Sequence, residues 1–154
     1  MDDPPALSPA GTPIRMVIVE GHPFFRDVLV RFLADHADLQ VVGTMARLPR
    51  SMAKLAALKP DVIIIDPKPT DMTVGKDIRL QRRAFQSMGS VVLSLPTEPE
   101  YEQVATQAGA DAFVDKQRAS VELISRIRQA ARRGQSPPAP LAGDEMAGRG
   151  VAGQ

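Results

Sequence analysis

The feature that most limits what this chain can fold into is an alternation. Short apolar runs rich in β-branched residues are each followed by a longer stretch of helical period. The runs are Ile14 to Glu20 (IRMVIVE), Leu39 to Thr44, Asp61 to Asp66 (DVIIID), Ser90 to Leu95 (SVVLSL) and Ala112 to Lys116 (AFVDK). Strands spaced by helical segments read as βαβ units wound around a parallel sheet. DVIIID has no polar alternation, as expected of a central parallel strand buried on both faces. The expected fold class is therefore α/β, a doubly wound five-stranded parallel sheet in one domain over residues 14–133.

The intervening stretches carry helix signals. After Gly21 and His22, Pro23 is suited to open a helix, and Phe25, Val28, Leu29, Phe32 and Leu33 recur at the spacing of one buried face. A second helix, roughly Pro49 to Leu58, packs through Met52, Leu55 and Ala56 and ends at Lys59-Pro60, because the residue before proline avoids the helical region. A third, about Lys76 to Met88, buries Ile78 and Phe85. A fourth runs from Pro99 to Gln107. The last, Val121 to Arg133, buries Val121, Ile124 and Ile127. Its arginines, Arg126, Arg128, Arg132 and Arg133, read as a solvated helix end whose cations suit the dipole. Residues 1–13 and 134–154, rich in proline, glycine and alanine, lack such periodicity and read as flexible tails.

Composition excludes several classes. Nineteen basic and 18 acidic residues leave a net charge of +1, so no global field draws the 154-residue chain to nucleic acid or anionic lipid. The absence of cysteine removes disulfides, thiolate metal sites and a cysteine nucleophile. No apolar run approaches the length of a membrane span. The expectation is a cytoplasmic protein without membrane association.

In open α/β sheets, ligands bind beyond the carboxyl ends of the strands. Glu20, Asp66, Ser94 and Lys116 stand at or near four such ends. Two carboxylates, a hydroxyl and an ammonium group converging there would suit a phosphoryl group on a carboxylate. Asp66 is the candidate nucleophile, Lys116 the cation and Ser94 a hydrogen-bond donor. His22 is read as a helix-entry residue, because no second histidine lies at metal-ligand spacing.

IRMVIVEGHPFFRDVL, DLQVVG, KPDVIIID and EYEQVATQAGADAFVDK occur in an order and spacing that resembles the receiver domain of two-component response regulators. The closest class is the one usually joined to a LuxR-type DNA-binding output. The resemblance covers Ile14 to Arg133 and implies a (βα)5 flavodoxin-like receiver fold and phosphorelay signalling rather than an enzyme. By it, Asp66 is the phosphoacceptor, while Ser94, Lys116 and Phe113 bind phosphate or switch. A Mg2+ ion would be held by Glu20, Asp66 and the backbone carbonyl of Lys68. The implied partners are a sensor histidine kinase or small phosphodonor and a downstream protein, and a homodimer is allowed. No helix-turn-helix pattern follows residue 134, so direct DNA binding by this chain is not expected.

Two departures stand out. Gly21 replaces the second of two consecutive acids that normally contact the metal. The loop PKPTDMTVG lacks the family's usual residues, although Asp71 offers a nearby carboxylate. Gly21 supports an alternative, a phosphorylation-independent pseudo-receiver acting as an interaction module. A phosphatase reading of IIIDPKPT, from its likeness to a haloacid-dehalogenase Asp-x-Asp-x-Thr motif, ranks far below these, because Lys68 stands where the general acid belongs, the run lies on the third strand rather than the first, and no cap domain is expected.

Overall fold

The computed structural model describes residues 11–48, 51–67, 73–94 and 99–135. Five strands, β1 (Ile14–Glu20), β2 (Leu39–Met45), β3 (Val62–Asp66), β4 (Gly89–Ser94) and β5 (Ala112–Asp115), form one parallel sheet in the order β2-β1-β3-β4-β5. The helices are α1 (Pro23–Ala34), α2 (Met52–Leu58), α3 (Val74–Ala84), α4 (Pro99–Ala108) and α5 (Ala119–Ala131). The doubly wound class holds.

Side chains of a strand alternate between sheet faces, and here the alternation separates two cores. Met16, Ile18, Ile64, Val91 and Val114 meet Leu33 of α1 and Leu123 and Ile127 of α5. Val17, Val19, Ile63, Ile65 and Val92 meet Leu55 of α2, Val74 and Ile78 of α3 and Ala105 of α4. Gly89 is required by the first of these layers, since a Cβ there would collide with the Ala130 carbonyl of α5.

Several helical faces differ from the sequence expectation. In α1 the buried side is formed by Leu33 with Leu29, Val30 and Phe32, whereas Phe25 and Val28 are exposed because the buried face is centred between Leu29 and Val30, rotated away from them. Ala56 is exposed and Leu58 takes its place against the core. Helix α2 ends at Leu58 as expected, with Lys59 in the left-handed region at φ 49°. Helix α3 begins earlier and stops earlier than read, because Phe85 turns extended at φ −139° and Met88 is buried in a turn beyond it. On α5 the inward positions are Leu123, Ile127, Ala130 and Ala131, and Val121 is 76% exposed. Arg128 and Arg133 are not solvated cations: they pair with Asp38 and Asp111. The expected terminal tails lie mostly outside the described residues, as do Lys68, Asp71 and Leu95.

Candidate functional site

Strand register sets the site. Glu20 and Asp66 are direct neighbours at the ends of β1 and β3, and Ser94 ends β4 opposite Asp115 of β5. Lys116 leaves β5 on a 3-10 turn, Lys116–Arg118, opened by the Asp115 carboxylate accepting from the Gln117 N–H at 2.8 Å. That turn, rather than a longer strand, aims Lys116 across the sheet end. Its Nζ reaches Asp66 Oδ1 at 2.7 Å.

Glu20, Asp66 and Ser94 are all buried, at 6%, 7% and 4% exposure. Glu20 Oε1 accepts from the His22 N–H at 2.8 Å, while Oε2 has no hydrogen-bond partner among the described residues. Burial pushes the Asp66 carboxyl up from 3.8 to about 8, and the neighbouring Glu20 carboxyl adds to the rise, against the pull of Lys116. Two adjacent buried carboxylates repel each other unless one holds a proton or a cation. The pair is thus an electrostatic load offset in part by Lys116, and a polar group entering the site finds an open acceptor at Glu20.

Phe113 sits at the level of Val92 on β5, half-buried against the layer of α2, α3 and α4. Glu20, Asp66 and Lys116 are therefore brought together, Ser94 shares their sheet end, and Phe113 lies further back along β5. Two participants were not read from sequence. The ring of Phe25 lies 5.3 Å from Lys116 Nζ, a cation–π distance, and itself packs edge-on against His22 and Phe24. Helical period assigned Phe25 to the core; its place on the first turn after β1 was the better signal. Arg47, just after β2, lines a cavity of about 30 Å³ with Gly21, Asp66, Val74 and Asp77.

A resident magnesium ion is poorly matched to these groups. It demands near-octahedral oxygen ligands. Among the described residues the oxygens at this sheet end come from the Glu20 and Asp66 carboxylates, one oxygen of each already engaged by His22 or Lys116, and Gly21 adds no side-chain oxygen. Among the described residues no three His, Cys, Asp or Glu side chains cluster to hold a metal. The described residues by themselves do not fit a firmly held metal.

Comparison with known proteins agrees with this architecture. Residues 16–128 match the response regulator receiver domain. Response regulator GacA of Pseudomonas viridiflava is 30% identical over 115 residues, covering 75% of this chain and 54% of GacA. Protein-glutamate methylesterase/protein-glutamine glutaminase 5 of Myxococcus xanthus is 32% identical over 156 residues, covering 92% of this chain and 44% of its own length. The response regulator domain of Thermotoga maritima CheB superposes with a TM-score of 0.69 at 26% identity, over 82% of this chain and 99% of that one. The chain spans about half the length of the curated relatives it matches. Among the described residues no helix is long and apolar enough to cross a membrane. By family match, relatives and fold together, the chain belongs to the response regulator receiver domain family.

Proposed function

We propose that this chain is a phosphoacceptor switch of phosphorelay signalling, with Asp66 as acceptor and the receiver unit spanning residues 14–133. The observation that carries the reading is the 2.7 Å contact between Lys116 and a buried Asp66. Burying a carboxylate with an ammonium group carries a desolvation cost, and its place at the carboxyl end of a central strand, where ligands of such sheets bind, supports a chemical role for the pair. In the reaction, an Asp66 oxygen forms a bond to the phosphorus of an acyl phosphate or phosphohistidine as the bridging bond breaks and its electron pair leaves with the donor. Lys116 then faces a dianion in place of a carboxylate. Ser94 supplies a hydroxyl from the next strand end, and Phe113 responds from β5. The product is read by a downstream protein in the cytoplasm, so the unit acts as a signalling module rather than an enzyme.

A second reading, the pseudo-receiver, is favoured by one observation: among the described residues no third carboxylate joins Glu20 and Asp66, and Gly21 stands where the family has an acid. Intact-protein mass after incubation with acetyl phosphate, with and without Mg2+, decides between them. Gain of one phosphoryl group in the wild type and none in Asp66→Asn is the expected result. No gain under either condition, in a protein folded by circular dichroism, leaves the pseudo-receiver.

A further inference from the structure

The small cavity beside Asp66 is continuous in its lining with a larger groove. Arg47 and Asp77 border both. The groove, about 510 Å³, is otherwise lined chiefly by Lys76, Arg79, Leu80 and Arg83. These α3 residues follow the i, i+3, i+4, i+7 spacing of one helix face, opposite the face that buries Val74, Ile78 and Gln81. All four are exposed, as is Arg47, and among the described residues none of the four cations has an ion-pair partner. Val74, in the first turn of α3, lines the cavity, so the positive end of that helix faces the same space.

From this we infer that Arg47 and the cationic face of α3 form an anion-binding groove that seats a small acyl phosphate beside Asp66 by fixed charge. The inference deepens the phosphoacceptor reading and rests on it. The logic is compensatory. Glu20, and Asp66 once ionised, repel an incoming phosphate, and with Gly21 no third carboxylate among the described residues clusters with them to recruit a divalent cation. A guanidinium binds phosphate oxygens through paired, charge-assisted hydrogen bonds. Arg47 borders the cavity that Gly21 and Asp66 share. Lys76, Arg79 and Arg83 extend positive charge outward along the groove, which is large enough for a ligand of this size. Asp77 is the sole carboxylate among the described residues that borders the groove, so the positive sign dominates.

The test is an NMR titration of the 15N-labelled full chain with inorganic phosphate in metal-free buffer, with chloride at matched ionic strength as control. Phosphate is expected to shift the amides of Gly21, Arg47 and Asp77 saturably. Arg47→Gln is expected to weaken that binding about tenfold, as for loss of one hydrogen bond to a charged group, with the rest of the spectrum unchanged. Acetyl phosphate labelling is expected to persist in chelator and to slow in Arg47→Gln. Absence of saturable shifts, shifts indifferent to Arg47→Gln, or labelling that needs Mg2+ and ignores Arg47 would each overturn the groove. The two readings fail separately. Phosphate binding that depends on Arg47, with no covalent label on Asp66, removes the acceptor while sustaining the groove; labelling without phosphate binding does the reverse.

Discussion

The two ends of the sheet use aspartate in opposite ways. At the amino end, Asp38, Asp61 and Asp111 each stand immediately before a strand, and each is satisfied. Asp61 takes the Arg15 N–H at 2.8 Å on its side chain and donates its own N–H to the Arg15 carbonyl at 2.7 Å, clamping β3 to β1. Asp111 does the same to Ser90, at 2.9 and 3.0 Å, clamping β5 to β4, and also binds Arg133. Asp38 receives both nitrogens of the Arg128 fork at 2.9 and 3.2 Å. At the carboxyl end, Glu20 keeps an oxygen with no hydrogen-bond partner among the described residues, and Asp66 is held far above the ordinary carboxylate range. Carboxylates that close strand starts belong to the fold. Carboxylates left strained at strand ends belong to the site.

The largest expected effect tests the fold side. Asp111→Ala strips the partner from Arg133, from the nearby Arg82 and from the Ser90 N–H, and should cost about 3 kcal/mol in urea unfolding. Its phosphoryl uptake in the surviving folded fraction should match wild type, and a loss of uptake without a loss of stability would collapse the distinction between the two ends. Next comes Gly21→Asp, which supplies a third carboxylate. Calorimetric titration should find Mg2+ affinity raised about tenfold, roughly 1.4 kcal/mol, and unchanged affinity would mean that position 21 does not face the site.

The smallest effect is in pH. The folded carboxyl of Asp66 titrates near 8, above its ordinary 3.8. The folded protein thus holds a proton that the unfolded chain releases, a contribution fully present below about pH 4 and lost as pH rises through about 8. Unfolding free energy should fall between pH 5 and 9 by at least about 1 kcal/mol, and Asp66→Asn should remove that fall. Labelling should speed up over the same range as the nucleophile ionises. Lys116 lowers the Asp66 value, so Lys116→Gln should move the labelling inflection to higher pH. A flat labelling profile would show that Asp66 is already ionised at neutral pH.

How much of this was legible in sequence follows from the period of each signal. Strand β1 was bounded at Ile14 and Glu20, and β3 at Asp66, because continuous β-branched runs end abruptly on acids. Helical faces were harder. Phe25, Val28 and Val121 fit an apolar stripe at helical spacing, yet the buried face is rotated away from them, towards Leu29, Val30 and Leu33 in α1 and Leu123 and Ile127 in α5, and periodicity alone does not fix which apolar edge packs. Asp66, Glu20 and Lys116 were legible because strand ends of a parallel sheet converge by topology. Phe25 over Lys116 and Arg47 beside the cavity depend on loop and first-turn geometry, which carries no repeating pattern. The aspartates before β2, β3 and β5 were present as residues, but their clamping role required the register between strands.

The most direct measurement locates the reactive carboxylate itself. Wild-type protein treated with acetyl phosphate is reduced with borohydride, which converts an aspartyl phosphate to homoserine, and the peptides are mapped by mass spectrometry. Homoserine at position 66 and at no other aspartate is the predicted result. Homoserine at Asp38, Asp61 or Asp111, or at no position in a folded protein, would contradict the assignment of the two ends.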